Sequence, residues 1–251
     1  MRLTYSHSAI ISTIVWLTML LCLPAAAAST WQAKISPAGS IKLSCNDKER
    51  GSLEAGLFED VWVLATLNPN YTKGGGQTGS YQSTITSHSG ILVDSTVNPQ
   101  PVANGLHLTY QLTPRKEIRV NSLHVKLAIP VPVLLGGQYV ADGVSQQFPT
   151  KFSSVRLYNA PTRSLVLCFP DGEQLTFTFT SPTPVLIQDD RQWEGYYSVR
   201  IGEQYENATT WPAEKPFKLD FTLTTQRGMA MESAGPLTIT ANKDWLPYDA
   251  K

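Results

Sequence analysis

The sequence predicts an all-β chain: one large antiparallel β-sandwich of the supersandwich kind, with little or no helix. Three observations carry this. Apolar and polar residues alternate with period two in many short runs, turn residues recur every ~8–12 positions, and the chain after its leader shows no helix of three turns. The clearest segment is Pro184–Gly202. There Val185 and Ile187 make one strand, Asp189–Glu194 a charged and aromatic connection, and Tyr197, Val199 and Ile201 alternate with Tyr196, Ser198 and Arg200 in a second.

The chain opens with Arg2 in a polar leader, then an apolar run from Ala9 to Leu23, then Pro24 and four alanines. A basic start, a core shorter than the ~20 apolar residues of a spanning helix, and small residues at Ala26 and Ala28 read as a secretory signal peptide. The expected domains are therefore a signal peptide over 1–28, cut before Ser29, and a β-sandwich over 29–251. An uncleaved anchor is the alternative, and Leu21 before Cys22 argues against lipidation. The expected location is secreted, periplasmic or cell-envelope, with no membrane contact after cleavage. Twenty basic side chains balance 20 acidic ones. That neutrality gives nucleic acid and anionic lipid no electrostatic reason to bind and favours a neutral ligand.

Two cysteines follow the leader. Cys45 and Cys168 are candidates for a disulfide closing a long loop, with two separate buried thiols as the alternative. Along the chain, Ile41 and Leu43 mark a strand, and Asp47–Gly56 reads as a polar loop. Asp60–Ala65 reads as a short buried strand or the end of a helix. Asn68–Gly79 reads as a flexible connection; its three glycines lack the Lys-Ser/Thr of a phosphate loop. A hairpin over Tyr81–Val93 turns at Ser87–Gly90, and Asn98–Gly105 is a loop.

Leu106, Leu108, Tyr110 and Leu112 alternate cleanly, and the chain turns at Pro114. The apolar phase is even at Ile118 and Val120 but odd from Leu123 to Ile129, which requires a β-bulge near Asn121–Ser122. Pro130 and Pro132 end that strand. Later strands are expected at Val155–Leu157, Leu165–Phe169 and Leu175–Phe179, the last two joined by a Pro170–Gly172 turn. Further strands are expected at Phe217–Leu223 and Leu237–Thr240, with Glu203–Lys215 a loop.

The common hydrolytic motifs and paired-cysteine metal spacings are absent, and no cofactor or metal is expected. Of the three histidines after the leader, His107 and His124 lie on polar strand phases and read as solvated surface residues rather than metal ligands. Asp189, Asp190 and Glu194 are close enough in sequence for carboxylate chemistry, with pairing to Arg191 or Arg200 the simpler explanation. The aromatics are more suggestive. Trp193, Tyr196 and Trp211 lie in or beside polar loops, and flat rings flanked by Arg191 and Glu194 suit the C–H faces and hydroxyl edges of sugars. Packing under loops or against a protein partner is the alternative. Asn70-Tyr-Thr72 and Asn207-Ala-Thr209 match the N-glycosylation acceptor pattern, relevant only in a eukaryotic host.

Gln188–Trp193, Tyr196–Arg200 and the closing Asp244-Trp-Leu-Pro247 resemble the β-sandwich module that precedes the catalytic barrel in large secreted bacterial glycoside hydrolases. The resemblance spans residues 105–248. In those enzymes the Asp-Trp-x-Pro segment leads into further domains, whereas this chain stops at Lys251. The resemblance therefore implies a module without its own catalytic centre. The expected function is a secreted carbohydrate-binding or glycan-processing accessory module, with Arg191, Trp193, Glu194, Tyr196 and Trp211 as candidate sugar contacts. A polysaccharide or oligosaccharide is the expected partner. A glycosidase or lyase using acids near 189–194, and an envelope domain binding another protein, are the alternatives.

Overall fold

The computed structural model describes residues 30–74, 79–226 and 228–233. The leader at 1–28, the strand expected at Leu237–Thr240 and the Asp244–Pro247 segment lie outside them. Among the described residues, fifteen strands follow in order. They are β1 (Trp31–Ile35), β2 (Ile41–Cys45), β3 (Lys48–Glu59), β4 (Leu64–Gly74), β5 (Tyr81–Thr86), β6 (Leu92–Val102), β7 (Gly105–Pro114) and β8 (Ile118–Pro130). There follow β9 (Gln138–Ala141), β10 (Val144–Gln147), β11 (Arg156–Cys168), β12 (Gln174–Asp189), β13 (Tyr196–Trp211), β14 (Phe217–Thr225) and β15 (Met229–Ser233). Among the described residues, helix is confined to α1 (Val131–Leu134) and a 3₁₀ turn at Asp60–Trp62.

The expected sandwich is not what forms. Pairing runs β3–β8–β13–β12–β14–β7–β6–β5–β4 and returns to β3, so the sheet closes into a nine-strand barrel. Closure depends on β12. Its residues 175–179 pair with β14 and its residues 185–189 with β13, and between them lie Pro182 and Pro184, which have no N–H to give a ladder. The strand therefore changes partner at a corner, and two sheets that would otherwise face each other become one. At the other seam, Glu59 N–H donates to Val63 O at 2.9 Å and folds β3 onto β4 around the 3₁₀ turn. β2, β1 and β15 extend from β3, while β9 and β10 extend from β11.

Period-two alternation fills the interior. Leu53, Ala55 and Leu57 of β3, Leu123–Ile129 of β8 in odd steps, and Tyr197, Val199 and Ile201 of β13 are all inaccessible. The bulge expected in β8 is present: Phe58 pairs with Ser122 but Glu59 with Val120, leaving Asn121 unpaired. Its amide spans Glu59 O (2.8 Å) and Ala208 N (3.1 Å). The Pro170–Gly172 turn also forms, with Gly172 N–H donating to Phe169 O at 3.0 Å.

Four segments expected as loops belong to strands. Asp47–Gly56 supplies most of β3, Asn68–Gly74 extends β4, Asn98–Val102 extends β6, and Glu203–Trp211 extends β13. In β3 the buried phase passes through Gly51 and in β6 through Pro99, which hid the alternation, and Glu203–Trp211 reads as a loop because most of its residues are polar and part-exposed or exposed.

Candidate functional site

The face of β3, β8, β13 and β12 opposite Leu53, Val125, Val199 and Val185 holds an unusual set of polar residues, several of them fully buried. Polar side chains this well buried ordinarily have partners. Here register sets Glu54 of β3 beside Lys126 of β8, and Lys126 beside Arg200 of β13. One step along, His124 sits between Gly56 and Gly202, and Ser122 between Phe58 and Gln204. Gln188 of β12 pairs with Ser198. Glycine on both sides makes room for the imidazole: a Cβ on Gly56 would come 3.4 Å from His124 Nε2.

Arg200 is the pivot of this face. It is 9% exposed, its guanidinium lies 4.5 Å over the Phe58 ring, and its nearest carboxylate, Asp190, is 3.8 Å away. Phe58 in turn stacks on His124 at 5.5 Å. Burial and the proximity of Arg200 and Lys126 hold His124 well below the ordinary histidine value, so it is neutral at pH 7; its Nδ1 is 2.8 Å from Ser122 Oγ. Burial lowers the Lys126 ammonium, Arg200 adds to that, and Glu194, Glu54 and Asp190 oppose it. Lys126 donates to Tyr196 Oη at 3.0 Å. Burial raises Glu54, whose carboxylate accepts from Leu67 N–H and the Thr66 hydroxyl.

Buried polar atoms without a partner concentrate here. Among the described residues they include His124 Nε2, Gln188 Oε1, Asp190 Oδ1, Ser198 Oγ, Arg200 Nε and both amide atoms of Gln204; elsewhere only Arg50 Nε and Tyr110 Oη share that state. Donors and acceptors are mixed, which is the inventory a hydroxyl-bearing ligand matches, since each hydroxyl both donates and accepts.

The sequence-predicted residues divide. Tyr196 and Glu194 belong to this face, and Trp193 stands beside it, 66% exposed on the turn that holds Glu194. Arg191 points elsewhere. It grips Asp189 with Nε (2.8 Å) and Nη2 (2.5 Å) and donates to Thr150 O and Pro149 O at 3.0 Å each, fastening two loops together. Trp211 is buried, with its Nε1–H on Lys215 O at 2.8 Å and its ring edge-on to Phe217. Cys45 and Cys168 are both free thiols. His107 contacts Asp220 at 3.0 Å on β7, a strand not paired with β8. His124, read as solvated, is fully buried.

Sequence reasoning missed Glu54, Phe58, Trp62, Lys126 and Gln204. The polar phase Ser122–His124–Lys126 of an otherwise apolar strand was the available signal; Glu54 and Phe58 were lost with the misread β3.

His124 yields a pH prediction. A histidine with a depressed folded pKa takes up a proton in the unfolded chain first, so stability is present above the unfolded value of 6.5 and lost as pH falls below it. The loss should approach ~1.4 kcal/mol per pH unit. Urea denaturation at neutral and mildly acidic pH should show this fall in the wild type and a shallower one in His124→Gln; equal slopes would contradict the assignment.

No protein-family model matches the chain, and no curated protein matches its sequence. Several solved structures overlap it, among them the following two. The galactosidase domain of an alpha-galactosidase-sucrose kinase aligns with TM-score 0.45 and 8% identity over 70% of this chain and 30% of that one, so this chain spans under a third of that protein's length. A galactose mutarotase related enzyme from Lactobacillus acidophilus aligns with TM-score 0.46 and 9% identity, over 78% of this chain and 94% of that one. At that degree of overlap, the chemistry of the face rests on its own residues.

Proposed function

We propose that this chain is an exported protein that binds carbohydrate on the polar face of β3, β8, β13 and β12. The observation that carries the reading is the concentration of unpartnered buried donors and acceptors on that one face. Leaving such a group unmade costs ~1–3 kcal/mol, so a cluster of them is expensive unless something satisfies it. Glu54, Lys126, Gln188, Tyr196 and Gln204 are part-exposed and form the approach, while His124, Asp190, Ser198 and Arg200 lie behind them. The Phe58 ring covers Arg200 and His124, so a ligand that uses them turns that ring aside. Neutral overall charge and aromatic rings beside the polar groups suit a sugar better than an anion.

The test is retention of the purified chain on a panel of immobilised polysaccharides, with the supernatant assayed for reducing sugar. Retention without release is the expected result, and release would make the protein an enzyme. Absence of both, with a stoichiometric protein co-purifying, would move the reading to a protein partner. N-terminal sequencing of the exported protein should begin at Ser29.

A sharper result comes from Ser198→Ala and Gln204→Met. Each removes unpartnered buried atoms. Each should raise stability by about 1 kcal/mol while weakening glycan retention, because the deleted atoms are satisfied only by ligand. Lower stability with unchanged retention would assign those atoms a purely structural role.

A further inference from the structure

The polar groups of the face are laid out along a line rather than around a point. Tyr196, Ser198, Arg200 and Gln204 share one side of β13, and at ~3.3 Å per residue the stretch from 196 to 204 is roughly 26 Å long. Lys126, His124 and Ser122 run antiparallel beside it on β8.

An exposed indole stands at each end. Trp193 lies on the turn that enters β13, its backbone N–H donating to Asp190 O at 2.9 Å. Trp62 is 48% exposed at the opposite end, its ring 5.7 Å from Phe58, which shares a register row with Ser122 and Gln204. Its backbone holds φ at 63°, a conformation costly for a bulky side chain. The buried Trp31 and Trp211 are hydrogen-bonded through their indole N–H groups. Among the described residues, Trp62 and Trp193 are the exposed tryptophans.

We infer that the ligand is a linear oligosaccharide several rings long, lying along β13 with one sugar stacked on Trp62 and another on Trp193. The inference rests on the carbohydrate reading above and adds the length and direction of the ligand. A monosaccharide reaches only one of the two rings. A chain along the strand reaches both, and its intermediate hydroxyls meet Arg200, Asp190, His124 and Gln204.

The experiment is calorimetric titration of the full protein with a ladder from monosaccharide to hexasaccharide of whichever glycan retains it. Affinity should rise steeply with length and level off once both tryptophans are engaged. Trp62→Ala and Trp193→Ala should each weaken the longest oligomer about 10-fold, and Trp62→Phe should recover most of its loss. Both sites are exposed, and unchanged melting temperatures would confirm that folding is intact. Binding that does not depend on length, or that responds to neither or only one tryptophan, would overturn the inference while leaving the carbohydrate reading standing. Failure of every glycan to bind would overturn both.

Discussion

Arg200→Met should destabilise the fold by about 3–5 kcal/mol, and adding Asp190→Asn should restore about 2 kcal/mol of it. The reason is the carboxylate that the substitution leaves behind. Asp190 is 2% exposed, and its Oδ1 has no partner. Arg200 is the cation closest to it, at 3.8 Å. Without the guanidinium the Asp190 charge is buried and uncompensated, with Glu194 on the same turn. Lys126 offsets part of this, since Arg200 is one of the groups that lower its ammonium, and losing it lets Lys126 hold its proton more firmly. Removing both charges avoids the stranded carboxylate, which is why the double variant should recover. Chemical denaturation of the two single variants and the double gives the coupling directly, and a neutral Arg200→Met would show that Asp190 finds its partner elsewhere. The double variant should also be retained more weakly on the glycan that holds the wild type, because the guanidinium is gone and a neutral amide replaces the carboxylate as the acceptor for a sugar hydroxyl.

Gly202→Ala should cost about 4 kcal/mol or more, the range reserved for backbone conflicts. Its φ is 135°, and an added Cβ would stand 2.4 Å from Leu123 O, 2.8 Å from Phe217 Cζ and 3.1 Å from His124 Cα. The carbonyl belongs to the neighbouring strand of the barrel, so relief requires β13 to move off β8 where the face is built. Gly143→Ala is the control. Its φ of 85° is also unfavourable, but nothing lies within 4 Å of its Cβ, and the cost there should be about 1 kcal/mol. Similar urea midpoints for the two variants would show that dihedral strain, not the close strand approach, governs Gly202.

Local order was legible in the residues themselves. Leu106–Leu112 and Phe217–Leu223 alternate as strands because side chains on a pleated backbone point to opposite faces by turns. The phase slip around Asn121 revealed the bulge for the same reason, and Pro170–Gly172 revealed its turn. Tyr196 and Glu194 were found as part of the face because an aromatic and an acid beside a strand carry their chemistry openly. What local pattern does not contain is which strand lies beside which. The sandwich expectation failed because alternation and turn spacing do not report whether a sheet closes, and Pro182 and Pro184 decide only once β12 has neighbours to lose. The face likewise joins Glu54, Lys126 and Arg200, residues far apart along the chain that meet only through the β3–β8–β13 register. Arg191 and Trp211 show the converse: a guanidinium and an indole beside polar sequence that tertiary packing turned into a loop clamp and a buried ring. Composition and alternation thus determined that the chain is β and where many of its strands run. Closure, register and the burial of unpartnered polar groups were decided by contacts between distant segments, because hydrogen-bonded pairing and desolvation exist only after those segments meet.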